Sequence, residues 1–473
     1  MSLSKLPLVE PIAVLRGDYP DPSLVRVGHD YYMTHSSCMY GPGLQIWHSS
    51  NLTDWIPIGY ALESYIGDVW APDLVYVNDR FYIYFPANDT NYVIYADRAE
   101  GPWSTPIDLG VGGIDPGHLL GDDGTRYLFL NFGRVVKLSA DGLNVADDAM
   151  IRVYDGWEIP VEWATEGKAL ESPKLFKRGP YYYMVSAQGG TAGPATSHMV
   201  IVARSKSPLG TWENSPLNPL VHTWTKEERW WSKGHGTLFD TPDGKWYIVY
   251  HAYEKDYYTL GRHTLLDSVE WTDEGWPRLA GATNEDKRLD DGRSPALSDD
   301  FMDHSLGWQW RFYKEFDPGQ YEVGDGVLKL RAKGNTPANS APLVCIPPDQ
   351  SYEAEVRMKV GSGAEAGLIL FYNERCYAGI GFNEHEIFRL RRGARGFIVS
   401  GAGSLLHLRL RNEQHTVSMY YSIDGTEWTK FPASMDVSAY HHNAFGEFVS
   451  LRLGFYAAGQ GEVEISSFHY KAI

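Results

Sequence analysis

One short strand pattern recurs five times in the first part of the chain. A turn residue, an aromatic residue, a tyrosine and an aliphatic residue follow one another in HDYYM, DRFYI, GTRYL, PYYYM and GKWYI, around Tyr32, Tyr82, Tyr127, Tyr183 and Tyr247. Successive tyrosines are separated by roughly 45 to 65 positions, and repeats of about this length, with short strands and Gly, Asp and Pro turns, are typical of the four-stranded blades of a β-propeller. Hydrophobic periodicity is close to two throughout, so the sequence predicts an all-β fold that begins with a five-bladed propeller.

A second register runs through the same repeats. Counting back twelve positions from each repeat tyrosine, or eleven in the first repeat, gives Asp21, Trp70, Asp115, Glu171 and His235. If the tyrosine lies on the second strand of a blade, the earlier residue lies at the mouth of the innermost strand and faces the axis. Three carboxyl groups gathered in a partly dry place raise each other's pKa and are costly as mere structure. The pattern therefore predicts a functional site on the axis.

The pattern changes near residue 290. Residues 281–301 are polar and rich in Asp, Gly and Pro, as a domain junction is. Beyond them, alternating strands such as Tyr352–Val360 and Leu406–Leu410 place apolar side chains on one face only. We therefore predict a propeller domain over 1–290 and an antiparallel, concanavalin-like or jelly-roll-like β-sandwich over 291–473, closed by the strand VEISSFHYKAI.

Charge and composition narrow the classes of partner. The chain of 473 residues has 60 acidic and 42 basic residues, a net charge of −18, which disfavours nucleic acid and anionic lipid. No apolar run approaches the roughly 18 residues that span a bilayer. The start lacks the apolar core of a signal peptide, so the sequence predicts a cytoplasmic protein, or a secreted or periplasmic one if a leader has been removed. Cys38, Cys345 and Cys376 are too few and too widely spaced for a disulfide framework or a metal site, and we expect buried thiols.

The three predicted axial acids suit the cleavage of a glycosidic bond. This reaction needs one protonated carboxyl group for the leaving oxygen, one carboxylate to activate water or attack carbon, and an apolar ring face beside the sugar. Asp21 and Asp115 each precede a proline, where aspartate is also a common turn residue. The principal alternative is a non-catalytic sugar-binding propeller, in which the acids only hydrogen-bond hydroxyl groups and Trp70 stacks on the ligand.

Several motifs, in this order, resemble glycoside hydrolase family 43. They are YPDPSL, VWAPDLVYVNDRFYIYF, IDPGHLLGDDGTRYLF, ESPKLFKRGPYYYMVSAQGGT with HMVIVARS, and GHGTLFDTPDGKWYIVYH followed by LGRHTLL. The likeness is dense over 15–280 and extends more loosely to the SDDF…LGWQW opening of the second domain. It is greatest to the branch of β-xylosidases and α-L-arabinofuranosidases with a C-terminal concanavalin-like sandwich.

This resemblance implies an exo-acting, inverting hydrolase that releases terminal β-D-xylose or α-L-arabinofuranose from xylan- or arabinan-derived oligosaccharides. Asp21 matches the family's general base, Glu171 its general acid and Asp115 the residue that tunes and orients that acid. Trp70 matches a sugar platform, and Arg262 matches an arginine that reaches the sugar and the carboxylates. From the residues alone, a core position for Trp70 and a structural ion pair for Arg262 stay open.

The histidine of the GHG motif, His235, bears on metal binding, and two departures from the family pattern bear on substrate specificity. In relatives, the residue matching His235 lies near a central water cluster or a calcium ion. The resemblance therefore implies that His235 assists substrate binding and holds a structural calcium through waters, while the chemistry itself needs no cofactor. Gln188 stands where many relatives have Glu, and His263 follows Arg262 where Gln or Glu is more usual, which leaves the sugar preference open. His198 is equally compatible with a core position, and the oligomeric state is not encoded in any motif.

Overall fold

The computed structural model describes residues 10–280, 296–401 and 403–473, which form two compact units. The first unit contains most of the chain up to Arg293, and the second contains Ser294–Ile473 together with the short segments Met39–Pro42 and Asp256–Gly261. The predicted boundary between 290 and 291 lies outside the described residues. Within the described part, no helix combines the length and apolarity needed to cross a lipid bilayer.

The strands of the first part of the chain, apart from β4, build five antiparallel sheets. They are β1 (Ile12–Leu15), β2 (Ser23–Val27), β3 (Asp30–Thr34), β4 (Tyr40–Gly41), β5 (Gly43–Ser49), β6 (Ile56–Leu62), β7 (Asp73–Val77), β8 (Arg80–Ala87), β9 (Thr90–Ala96), β10 (Ile107–Asp108), β11 (Gly117–Leu120), β12 (Arg126–Leu130), β13 (Arg134–Leu138), β14 (Val145–Arg152), β15 (Glu171–Arg178), β16 (Tyr181–Gln188), β17 (Met199–Ser205), β18 (Glu213–Asn214), β19 (Val221–His222), β20 (Trp230–Asp240), β21 (Trp246–Glu254), β22 (Arg262–Trp271) and β23 (Pro277–Leu279). Blade I is β2-β3-β5-β6, blade II β7–β10, blade III β11–β14, blade IV β15–β18 with β19 beside β17, and blade V β20–β22 with β23.

The predicted five-bladed propeller is confirmed, and its ring is closed by the first strand. β1 pairs with β22, so blade V is completed by residues from the other end of the unit. The five repeat tyrosines all lie on the second strand of a blade, as predicted. Tight hairpins join the first two strands. In the turn of blade II, Asn78 has φ 52° and Asp79 has φ 59°, the left-handed backbone that a type I′ turn requires. Buried side chains of neighbouring blades, such as Val200 of blade IV and Ile248 of blade V, pack together between the sheets.

The innermost strands are tied together by one buried ion pair. Lys174 of blade IV lies 3.0 Å from Asp73 of blade II, and their side chains are 7% and 6% exposed. The other oxygen of Asp73 accepts a hydrogen bond from the backbone N–H of His118 in blade III at 2.7 Å. Ser23 of blade I donates to Asp73 at 3.4 Å and accepts from the N–H of Leu74 at 2.8 Å. One carboxylate thus joins the inner strands of four blades.

The second unit is a two-sheet antiparallel sandwich. Its remaining elements are β24 (Arg311–Tyr313), β25 (Tyr321–Gly324), β26 (Val327–Arg331), β27 (Leu343–Cys345), β28 (Ser351–Val360), β29 (Ala364–Asn373), β30 (Cys376–Phe382), β31 (Glu386–Arg391), β32 (Ala394–Ser400), β33 (Leu405–Glu413), β34 (Thr416–Ser422), β35 (Thr429–Asp436), α1 (His442–Phe445), β36 (Arg452–Gly459) and β37 (Glu462–Ala472). One sheet has the order β32-β31-β30-β29-β36-β27-β24-β4 and the other β25-β26-β37-β28-β33-β34-β35. Short 3₁₀ helices occur at Asn131–Gly133, Tyr258–Leu260, Pro318–Gln320 and Pro337–Asn339.

The strand pattern predicted for the sandwich is confirmed. Tyr352, Ala354, Val356, Met358 and Val360 are all buried, whereas the residues between them are partly or fully exposed. The closing strand predicted from VEISSFHYKAI is β37, which pairs with both β26 and β28. The three cysteines are buried free thiols, as expected.

The Asp73–Lys174 pair generates a stability prediction. Asp73→Ala is expected to lower the free energy of unfolding by about 3–5 kcal/mol, because a buried ammonium group is left without its carboxylate. Urea unfolding followed by tryptophan fluorescence measures this change. The double variant Asp73→Leu/Lys174→Met, which removes both charges, is expected to recover part of the loss.

Lys177→Ala is the matched control on the same strand. Lys177 pairs with Asp122, but these side chains are 39% and 65% exposed. Water therefore screens the pair, and its loss is expected to move the unfolding midpoint far less. Equal midpoints for Asp73→Ala and Lys177→Ala would contradict the role assigned to the buried pair.

Candidate active site

His235 joins the three predicted acids of the propeller axis. Its Nδ1 lies 3.3 Å from Oδ1 of Asp21, and its Nε2 lies 3.3 Å from Oε1 of Glu171 and 3.8 Å from Oδ2 of Asp115. The side chains of His235, Asp21 and Asp115 are each no more than 6% exposed, and that of Glu171 is 18% exposed. Four of the five residues predicted from the repeat register are therefore brought together in one buried group.

The backbone turns sharply at three of these residues. Asp21, Asp115 and His235 have φ values of 58°, 56° and 51°, in the left-handed region that non-glycine residues rarely adopt. In blade IV the left-handed residue is Ser172, which directly follows Glu171 and has φ 50°. Such strain persists only where surrounding structure enforces it and is concentrated at functional sites. Here it occurs where the inner strands begin or bulge, beside each titratable group.

Asp21 is held ionised by a buried cation. Arg262 donates from Nη1 to Oδ1 of Asp21 at 2.9 Å, and Ser36 donates to the other oxygen. Burial would raise the pKa of Asp21, but the positive charges of Arg262 and His235 outweigh it and hold that pKa well below its ordinary value. The backbone N–H of Arg262 is itself fixed by Asp18 at 3.2 Å. Arg262 therefore meets the carboxylate that the sequence analysis assigned to it.

Asp115 and Glu171 have opposite preferences for a proton. Burial, reinforced by the Glu171 and Asp21 carboxylates, raises the pKa of Asp115 to about 7 against the opposing charge of His235. Burial also opposes ionisation of Glu171, but the neighbouring imidazoles of His198 and His235 lower its pKa to about 2. A proton held by these neighbouring carboxyl groups therefore lies on Asp115 rather than on Glu171.

Three imidazoles lie next to the acids. Burial alone would lower the pKa of His235, but Asp21, Glu171 and Asp115 raise it, so both of its nitrogens donate when it is charged. His251 stacks on His235 with ring centroids 4.9 Å apart and accepts from the backbone N–H of Asp21 at 3.1 Å. Burial lowers the pKa of His251 well below its ordinary value, so this ring is neutral.

His198 completes the group and was only an open alternative in the sequence. Its Nε2 lies 3.6 Å from Oε1 of Glu171, and its Nδ1 pairs with the hydroxyl group of Thr191 at 3.2 Å. The ring is fully buried. His198 thus contacts a predicted catalytic acid, a role that its sequence setting, TSHMV, did not indicate. His251 was also missed, because the repeat register places only one residue of each blade on the axis.

Phe132 is another site residue that sequence reasoning missed. Its N–H donates to the carbonyl oxygen of Leu170, which precedes Glu171, at 2.8 Å. The preceding residue, Asn131, exchanges hydrogen bonds with Ile114, which precedes Asp115. The ring is 50% exposed and the residue has φ 59°. An exposed ring therefore lies on a left-handed backbone turn that is hydrogen-bonded to the residues preceding Asp115 and Glu171.

Trp70 lies at the corresponding end of blade II, just before β7, and its ring is 44% exposed. This exposure disagrees with a core position, which the sequence alone had left open, and suits a ring face that meets a ligand. The backbone N–H of Trp70 donates to the carbonyl oxygen of Pro86 at 3.3 Å, which fixes the residue at the start of the inner hairpin.

The two departures from the family pattern are structural. Gln188 is fully buried and forms two hydrogen bonds with the backbone of Trp157, from Nε2 to the carbonyl oxygen at 2.7 Å and from the N–H to Oε1 at 3.0 Å. His263 is also fully buried and accepts from the N–H of Gly17 at 2.9 Å. Both side chains hold loops and do not line the acid cluster.

The donor chemistry of the site does not fit calcium. Two overlapping sets have ligand atoms within 4.8 Å of one another, Asp21 with His235 and His251, and Glu171 with His198 and His235. Each offers two imidazole nitrogens and one carboxylate oxygen, whereas calcium takes six to eight oxygen ligands. Direct binding of calcium by these side chains is therefore disfavoured, and a calcium ion that His235 holds through waters stays a prediction. No catalytic step is assigned to a metal.

Both parts of the chain match known protein families. The family described as glycosyl hydrolases family 43 matches residues 11–277, and the β-xylosidase C-terminal concanavalin A-like domain matches 298–471. A xylan 1,3-β-xylosidase of a Vibrio species is 34% identical over 307 residues, which cover 56% of this chain and 56% of that protein. A non-reducing end α-L-arabinofuranosidase of Bacteroides ovatus is 27% identical over 95% of this chain and 91% of its own length.

The fold is shared with solved structures along nearly the whole chain. The crystal structure of a family 43 protein from Bacillus licheniformis is 27% identical, has a TM-score of 0.85 and aligns with 98% of this chain and 99% of its own. The family match alone covers more than half of the chain. The chain therefore belongs to glycoside hydrolase family 43 and is a glycoside hydrolase.

Proposed function

We propose that this glycoside hydrolase removes a terminal pentose, β-D-xylose or α-L-arabinofuranose, from the non-reducing end of short oligosaccharides with inversion at the anomeric carbon. The observation that carries this proposal is the placement of three carboxyl groups around His235, of which Asp21 contacts the buried Arg262. Arg262 and His235 hold the pKa of Asp21 well below its ordinary value, whereas burial raises the pKa of Asp115 to about 7. Hydrolysis of a glycosidic bond requires one carboxylate and one carboxylic acid at the same time.

Asp21 is suited to act as the general base. Its charge is maintained by Arg262 at 2.9 Å, so it is ready to accept a proton from water over a wide pH range. The imidazole ring of His235 lies between Asp21 and Glu171 and contacts each with a different nitrogen. The ring keeps the two carboxyl groups well apart, as the acid and the base of an inverting reaction are. This arrangement supports attack by water rather than by Asp21 itself.

Glu171 is suited to act as the general acid, with Asp115 as the store of its proton. Glu171 is the most exposed of the three acids, at 18%, and so it is the one that a leaving oxygen can reach. In the unliganded site its proton lies mainly on Asp115, because His198 and His235 stabilise the Glu171 carboxylate. As the glycosidic C–O bond breaks, negative charge develops on the leaving oxygen, which takes the proton from Glu171, and the proton of Asp115 replaces it on Glu171.

Two exposed aromatic rings at the ends of the inner strands suit a sugar substrate. Trp70 and Phe132 expose about half of their rings at the same end of the inner strands, and each can support a face of a pentose. The two related proteins, a xylan 1,3-β-xylosidase and a non-reducing end α-L-arabinofuranosidase, support a terminal pentose of either kind.

Replacing the acid tests the assignment of Glu171. Glu171→Gln is expected to slow hydrolysis of xylobiose by roughly 10²- to 10⁴-fold, the usual value of one proton transfer. The loss on dinitrophenyl β-D-xyloside is expected to be much smaller, because that leaving group needs no proton. Initial rates on the two substrates give the comparison. Glu213→Gln, on an exposed residue of the same blade, is the control and is expected to leave both rates unchanged.

Asp21→Asn separates the base from the acid. This variant is expected to lose activity equally on xylobiose and on the dinitrophenyl substrate, because water must be activated whatever the leaving group. The two assignments would be reversed if Asp21→Asn lost more activity than Glu171→Gln on xylobiose but kept its activity on the dinitrophenyl substrate.

The stereochemical outcome is a separate prediction. Proton NMR of the first product from nitrophenyl β-D-xyloside is expected to show α-xylose, because water attacks the face opposite the leaving group. Release of β-xylose as the first product would show retention and would contradict the role of Asp21 as a base.

A further inference from the structure

An aromatic surface in the first unit is not used by the catalytic group. We name it the Trp163 cluster, and it consists of Trp157, Trp163, His222 and Trp224. Trp163 stacks on His222 with ring centroids 4.7 Å apart and an angle of 5°. The rings of Trp157 and Trp224 meet Trp163 edge-on at 5.7 Å and 5.5 Å. Trp224 is 50% exposed, Trp157 and Trp163 are partly exposed, and His222 is buried beneath them.

The cluster is fixed on one side by Gln188. This amide donates to the carbonyl oxygen of Trp157 and accepts from its N–H. An amide can do both, whereas an ionised carboxylate has no hydrogen to donate. The Gln at this position, where many members of the family have Glu, therefore fixes the segment that carries Trp157 and Trp163.

A buried ion pair fixes the other side. Oε1 of Glu228 accepts from the N–H groups of Trp224 at 2.7 Å and Thr225 at 3.1 Å. Its Oε2 pairs with Lys233 at 2.9 Å, and the two charged side chains are only 8% and 11% exposed. The buried ion pair therefore fixes an indole that is itself half exposed and adds little to the packed core. Exposed apolar surfaces of this kind commonly mark binding sites.

Strand register places the cluster on the side of the general acid. Glu171 pairs with Ala187, which pairs with Val200, which pairs with Val221, the residue before His222. Three strand spacings separate the backbones of Glu171 and Val221, roughly 14 Å at the usual distance between neighbouring strands. This is far enough for sugars beyond the one attached directly to the scissile bond.

We propose that the Trp163 cluster binds the leaving-group part of a neutral oligosaccharide, at the second or a later sugar beyond the scissile bond. This inference rests on the proposed function, in which the leaving oxygen departs next to Glu171. Indole and imidazole faces stack on the C–H faces of uncharged sugars while the hydroxyl groups keep contact with water. A rigid platform binds with little loss of conformational entropy, which is what the Gln188 and Glu228 contacts provide.

Substrates of increasing length test the proposal. For the wild-type protein, kcat/KM is expected to rise from xylobiose to xylotetraose. Trp224→Ala and Trp163→Ala are each expected to lower kcat/KM on xylotetraose by roughly fivefold to tenfold, the size of one lost aromatic contact, and to leave nitrophenyl β-D-xyloside within about twofold. Leu217→Ala, an equally exposed apolar residue between β18 and β19, is the matched control and is expected to keep the wild-type length dependence.

Three results would count against the Trp163 cluster as a sugar site. The first is a wild-type kcat/KM that does not change with length, and the second is an unchanged length dependence in both tryptophan variants. The third is an equal loss on every substrate, which would indicate a structural role. If the wild-type protein hydrolyses neither nitrophenyl xyloside nor nitrophenyl arabinofuranoside, the proposed function fails. The binding of xylotetraose would then be measured by calorimetry. Affinity about fivefold weaker in Trp224→Ala than in Leu217→Ala would still support the Trp163 cluster as a sugar site, and equal affinity would overturn it.

Discussion

The buried ion pair between Asp73 and Lys174 is the constraint on which the site depends. Asp73 also receives hydrogen bonds from Ser23 and from the backbone of His118, so it reaches the inner strands of blades I, III and IV. Ser23 lies two residues after Asp21, His118 three after Asp115, and Lys174 three after Glu171. A single carboxylate therefore positions the starts of the three strands that carry the proposed catalytic acids. The free-energy cost of burying the Asp73 carboxylate is offset by its ion pair with Lys174 and its hydrogen bonds from Ser23 and His118.

The electrostatics of the site follow from where positive charge is placed. Arg262 and His235 stabilise the charge of Asp21, whereas Asp115 is buried beside two other carboxylates and keeps its proton. The pKa of Glu171, which contacts both His235 and His198, is lowered as well. Like carboxyl groups thus acquire different protonation states from their surroundings, which is the condition for acid and base catalysis in one site.

The repeat pattern allowed most of the fold and the centre of the site to be predicted. The recurring tyrosine marks the second strand of each blade, and the residue twelve before it falls on or near the axis because each hairpin has nearly the same length. His198 and His251 could not be predicted in this way. His251 lies on the second strand of blade V and His198 directly before the third strand of blade IV, and each reaches the axis only because of the direction of its side chain. Phe132 depends on a left-handed backbone that no residue type in Asn-Phe-Gly demands. Asp73 and Lys174 looked like ordinary members of the WAPD and ESPKLF motifs, because an ion pair across blades has no signature in local sequence.

The central claim is that one proton, shared by Asp115 and Glu171, is needed for catalysis beside an ionised Asp21. The dependence of kcat/KM on pH for xylobiose tests it most directly. Asp21 has a pKa well below its ordinary value and stays ionised, so no loss is expected as pH falls from 7 towards 4. The shared proton is lost as pH rises through about 7, and activity should fall tenfold per pH unit above that value. Asp115→Asn should move this fall to lower pH, because Glu171 alone has a lowered pKa. A wild-type activity that stays level from pH 7 to about 9 would contradict the shared proton.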